Sequence, residues 1–197
     1  MKKLTLLTAL FLILYTAQAR QVYAICCPDD SLWNTFIPSG YEILDTLSCN
    51  LNLDAYEDKL LLVKSTSEKE LIQQKANVPP RLLLILSGTA SGSYTLAVQS
   101  SKALMCASCG GVAGDPYSGI SSGKGEFSIE HYGGSTHRWA RTLRFYYSTK
   151  LHNWFLKDDT LETFEVLNPE HSEKIIYTFN DFGKVDLGSF DIFQERE

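Results

Sequence analysis

The chain lacks an excess of positive charge. It carries 18 lysines and arginines against 23 acidic residues, a formal net charge of −5. That balance argues against nucleic acid and anionic membranes as partners. It lacks a long apolar run as well: the stretch from Leu4 to Tyr15 is too short for a comfortable membrane span. No internal repeat is clear enough to count. The cysteine count is not even. Cys26, Cys27, Cys49, Cys106 and Cys109 make five, so full pairing within the chain leaves one thiol over. No nucleophile, base and orienting group stand together at a readable linear spacing, which points to binding rather than catalysis.

What is there begins with a compartment signal. Met1-Lys2-Lys3 is followed by the apolar run and then by two small-x-small sites, Ala17-Gln18-Ala19 and Val22-Tyr23-Ala24. This pattern reads as a secretory signal peptide cleaved after Ala19 or Ala24, with Ala24 preferred. Residues 1–24 are thus expected to be the leader, and residues 25–197 one periplasmic or secreted domain without a membrane span. Cleavage removes Lys2, Lys3 and Arg20 and no acid, leaving 15 basic residues against 23 acidic ones. An oxidising compartment makes disulfides the default over zinc ligation. Cys106 and Cys109 are expected to close a small loop. Cys49 has Cys26 or Cys27 as alternative partners.

Apolar residues recur with a period of two along much of the chain. The run Arg81 to Leu86 is continuous and predicts a central strand buried on both faces. Tyr94, Leu96 and Val98 alternate with polar or small residues and predict an antiparallel return. Phe127, Ile129 and His131 share one strand face; Ser128, Glu130 and Tyr132 share the other. Trp139, Leu143, Phe145 and Tyr147 share a face on which Arg141 is the exception. Further short strands are expected at Trp154–Leu156, near Phe164 and Val166, at Ile175–Phe179, and at Phe190–Phe193. Ser31 to Phe36 predicts a short helix that tucks Trp33 onto the core. Ser65 to Lys75 reads as a solvated loop. The fold class expected is all-β: antiparallel hairpins packed as propeller-like blades or a sandwich, with one short N-terminal helix.

Two segments suggest chemistry. Asn50, Asn52, Asp54 and Asp58 place oxygen side chains at the 1, 3, 5 and 9 spacing of a loop that wraps a hard cation. The sixth position holds Ala55 instead of glycine, and the twelfth holds Leu61 instead of glutamate. No cofactor is therefore implied, and calcium competes with a metal-free turn held by Asx side chains. The second segment runs from Cys106 to Tyr147. Trp139 and Trp154, with Arg138, Arg141 and His131, are candidates for a binding face, since aromatic rings stack on sugars and arginine adds hydrogen bonds. A hydrolase built on His131 and Asp115 is the catalytic alternative.

Ile43 to Val63 (ILDTLSCNLNLDAYEDKLLLV) is similar to an FG-GAP/VCBS-type motif, in which a strand leads through an Asx loop into a hydrophobic strand. The stretch CASCGGVAGDPYSGI…FSIEHYGGSTHRW resembles a segment of uncharacterised secreted bacterial β-proteins. Together these resemblances imply a secreted β-protein and transfer no catalytic residue. The function expected is non-catalytic binding of a cell-envelope glycan or a protein. The alternative within binding is an immunity or inhibitor protein against a periplasmic toxin or hydrolase.

Overall fold

The computed structural model describes residues 31–194, apart from the side chains of Ser31 and Pro169. The leader expected at residues 1–24, with Cys26 and Cys27, lies outside the described residues. Among the described residues, nine strands form two antiparallel sheets. The first contains β1 (Tyr41–Cys49), β2 (Asp58–Ser65), β3 (Leu82–Gly88) and β4 (Tyr94–Ser100) in chain order. The second contains β5 (Tyr117–Gly123), β6 (Glu126–Gly134), β7 (His137–Ser148), β8 (Asn153–Glu165) and β9 (Asn168–Thr178), again in chain order. Short helices stand at Ser31–Asn34 (α1), Glu68–Gln73 (α2) and Phe179–Phe182 (α3).

The all-β expectation holds, and the burial pattern shows why. β2 and β3 carry apolar side chains on both faces, so both faces of each are covered. Leu60, Leu62, Leu83 and Ile85 meet Phe127, Ile129, Leu143, Phe145 and Leu156 of the second sheet in one core. The alternate residues Leu61, Val63, Leu82, Leu84 and Leu86 form a second cluster, capped by Trp33 of α1 with Phe36 and Ile37. Burying each such side chain contributes about 1.5–3 kcal/mol. Two sheets sharing one core form a sandwich; a propeller repeats its sheets around a channel, typically four or more of them. Among the described residues no helix is long and apolar enough to cross a membrane.

Three local expectations are corrected. The separate strands expected at Trp154–Leu156 and near Phe164 are one strand, β8, because β7 pairs with it along its whole length. Phe190–Phe193 is not a strand; Phe190 and Ile192 fill the core from an irregular segment. Ser65–Lys75 is not simply a solvated loop. It contains α2, whose Glu68 is buried against Arg81, outside the segment.

Candidate functional site

The Asx loop joins β1 to β2, and the side-chain oxygens of Asn52, Asp54 and Asp58 are already engaged. Asp58 is fully buried, and its carboxylate accepts the N–H groups of Leu51 (2.7 Å), Asn52 (3.0 Å) and Gly88 (3.0 Å). Burial pushes the Asp58 carboxyl up despite those three donors. Asp54 accepts from Tyr56 N–H at 2.7 Å and from the Asn52 amide at 2.8 Å. Asn52 Oδ1 accepts Asp54 N–H, and the Asn50 amide donates to the Asp54 carbonyl. The buried Asn50 Oδ1 has no partner among the described residues. A cation entering here has to displace backbone donors from Asp58. No cluster of three His, Cys, Asp or Glu side chains able to hold a metal occurs among the described residues. Millimolar calcium is therefore expected to leave the melting temperature unchanged in differential scanning fluorimetry. A rise of about 3 °C, equivalent to about 1 kcal/mol for a chain of this size, shows that the loop is occupied.

The glycine-rich segment builds a scaffold. Cys106 and Cys109 form a disulfide. The loop after it folds back on the end of β6: Gly134 N–H donates to Gly110 O at 2.9 Å, and Gly110 N–H donates to Gly114 O at 3.1 Å. Trp139 lies against Gly133, where a Cβ would stand 2.4 Å from the indole and 3.0 Å from Gly110 Cα. Only glycine permits that approach. Trp139 is accordingly half-buried on the core edge.

His131, Asp115 and Arg141 do come together, with three residues that sequence reasoning missed. Arg81, at the start of β3, places Nε and Nη2 on Glu68 at 2.8 and 2.9 Å. Its Nη1 donates to Asp115 at 2.8 Å, tying α2 and the Gly-Asp-Pro-Tyr turn to the first sheet. Burial opposes the Arg81 charge, but the two carboxylates outweigh it and hold the guanidinium protonated. Burial alone would raise the Asp115 carboxyl; Arg81 and Tyr117 N–H outweigh burial and hold it below the usual range. Arg141 faces inward on β7, where Asp159 of β8 grips it at 2.8 and 2.6 Å. Its Nη1 also donates to Ile192 O at 2.7 Å. Pairing with Asp159 is why a cation is tolerated on a core face.

His131 sits beside both arginines and is 2% exposed. Its Nε2 accepts Met105 N–H at 3.4 Å, which places the proton on Nδ1. That Nδ1 is buried without a partner among the described residues. Burial first, then Arg141 and Arg81, push its pKa down to about 4, so the ring is neutral at pH 7. This corrects His131 as an accessible binding residue: it faces the core with Phe127 and Ile129. Trp154 is corrected likewise. It is 2% exposed, donates Nε1–H to Leu51 O at 3.1 Å and packs on Tyr147. Burying both the ring and a satisfied N–H leaves no face for a ligand. Arg138 is on the opposite side of the second sheet, 5.7 Å over the Tyr132 ring, and Tyr132 neighbours Phe164 at 6.4 Å. Arg141 and Arg138 therefore serve different faces.

With the buried Arg81 and Arg141 paired to carboxylates, the open chemistry lies at the sheet margins. Three edge strands are interrupted: β1 by an extra residue at Leu44, β4 at Ala97 and β5 at Ser118. Such bulges twist an edge and block pairing. β9 differs. Its irregularity is confined to residues 169–171, and Ser172 to Thr178 run in unbroken register opposite Phe164 to Asp158. Both of its faces are open, with Ile175 38% and Ile176 51% exposed. The adjoining hairpin tip presents Leu167 at 88%. Edge pairing has no marker in local sequence, and only the alternation near Ile175 hinted at the strand.

Fold and margin together define an all-β, two-sheet, disulfide-bonded protein with an apolar core, ion pairs buried beside it and, among the described residues, one edge strand regular over seven residues. Compared with known proteins, the chain matches no family model, no curated protein and no solved structure.

Proposed function

We propose that this is a non-catalytic binding protein, acting outside the cytoplasm, that recognises a protein by strand addition at β9. The observation that carries the reading is the regular ladder from Ser172 to Thr178 with isoleucines open on both faces. An exposed edge offers a row of unpaired backbone groups, and a partner strand satisfies them while covering the flanking side chains. The disulfide suits an oxidising compartment. Burial of Trp154 and half-burial of Trp139 weigh against a stacking surface for sugars. An inhibitor or immunity protein is one form of this reading.

The row Arg138, Tyr132 and Phe164 favours a second reading, a glycan held on the outer face of the second sheet. Photo-crosslinking decides between them. Benzoylphenylalanine in place of Ile176 is expected to yield a protein adduct in the producing cells. The same group in place of Leu96, on the bulged β4 edge, is expected to yield none. No adduct at 176, or an equal one at 96, overturns strand addition; retention on a glycan resin that Tyr132→Ala abolishes establishes the second reading.

A further inference from the structure

We infer that the strand added at β9 is β9 of a second copy of this chain, paired antiparallel across a two-fold axis at Ile175. The inference rests on the strand-addition reading and names its partner. Pairing of identical strands must read the same in both directions, and directly opposed residues must share their hydrogen-bonding phase. The axis therefore falls on a residue. The regular ladder has seven residues, Ser172 to Thr178, and Ile175 is its centre.

An axis on Ile175 opposes Ile175 to its own copy, Lys174 to Ile176, Glu173 to Tyr177, and Ser172 to Thr178. No like charges meet. Moving the axis to Lys174 opposes two ammonium groups, and moving it to Glu173 opposes two carboxylates; like charges directly opposite destabilise a sheet. Moving it to Ile176 brings Phe179 of α3 opposite Glu173, past the end of the strand. Among these registers the charge pattern and the length of the ladder select one. Within its own sheet Lys174 already lies opposite Glu162 of β8, so the edge is locally balanced despite the acidic chain. The paired edge would cover Ile175 and Ile176 on opposite faces and join two five-stranded sheets into one. The other edges do not compete on length: the irregularity of β9 leaves seven consecutive residues in register, whereas the bulges leave at most five in β1, three in β4 and five in β5.

Sedimentation velocity on the full chain over about 1–100 µM is the test. The expected species has twice the chain mass. Ile175→Lys places lysines in opposition across the axis and is expected to weaken association roughly tenfold or more, while Ile175→Val preserves it. Hydrogen exchange guards against a folding artefact: amides within residues 172–178 are expected to gain protection with concentration in the wild type and in Ile175→Val but not in Ile175→Lys. A monomer at every concentration overturns the inference, as does a dimer that survives Ile175→Lys. A monomer that still gives a Position-176 adduct of another mass sinks the second copy and leaves strand addition standing.

Discussion

Replacing Arg81 with methionine is expected to destabilise the fold by about 3–5 kcal/mol, the range found when one partner of a buried ion pair is removed. The Arg81 side chain is 1% exposed and that of Glu68 is 8% exposed. Methionine fills much of the volume, so a cavity is not the main effect. The loss arises because Glu68 stays buried with no cation and has to be protonated or drag α2 into solvent. Asp115 is more open and rehydrates in place, so Asp115→Asn should cost far less. Urea titration at pH 7 measures the effect as a fall in midpoint. Adding Glu68→Leu to Arg81→Met should recover most of the loss, since a buried pair replaced by apolar residues is often neutral. If Arg81→Met alone costs less than about 1 kcal/mol, the Glu68–Arg81–Asp115 link is not holding the segments together.

That network shows where sequence reading stopped. The strands were legible because alternation is a local signal: Phe127, Ile129 and His131 fell on the core face as their spacing required. The continuous run at β3 was legible for the same reason, as a strand with core on both sides. Glu68 was not legible. It stands in a charged stretch indistinguishable from surface, and the Arg81 that buries it is thirteen residues on. Arg141 was visible only as an exception on an apolar face; Asp159, eighteen residues later, explains it. Trp154 misled because nothing local separates a ring awaiting a sugar from one that donates to Leu51 O, 103 residues away. The spacing from Asn50 to Asp58 likewise fits a cation loop and a self-bonded turn equally, and only the positions of the backbone donors separate them. The free edge was invisible because a bulge is a property of two strands rather than one.

His131 is expected to make the fold sensitive to acid between pH 6.5 and pH 4. Its folded pKa, about 4, lies below the ordinary value of 6.5. The unfolded chain therefore binds a proton in that interval that the folded chain refuses. Stability from this group is complete above pH 6.5 and is lost as pH falls through the folded value. A gap of that width corresponds to about 3 kcal/mol. Burial of the ring is the largest cause; the Arg141 and Arg81 cations add to it by repelling an imidazolium, and the Asp115 and Asp159 carboxylates only partly offset them. Shifted carboxyls add contributions of mixed sign. Asp115, held down by Arg81, and Asp186, held down by the Ser189 hydroxyl, each add a loss as pH falls through the carboxylate range, while Asp58, pushed up by burial, opposes it. Comparison with His131→Gln removes all three from the reckoning. Glutamine keeps an acceptor for Met105 N–H and carries no proton to lose. Urea unfolding at pH 7, 5.5 and 4 should show wild type and His131→Gln converging, with the variant's disadvantage at pH 7 shrinking by about 3 kcal/mol at pH 4. Parallel curves across that range would show that His131 titrates normally, and that the pocket between the two arginines opens to water more readily than its 2% exposure implies.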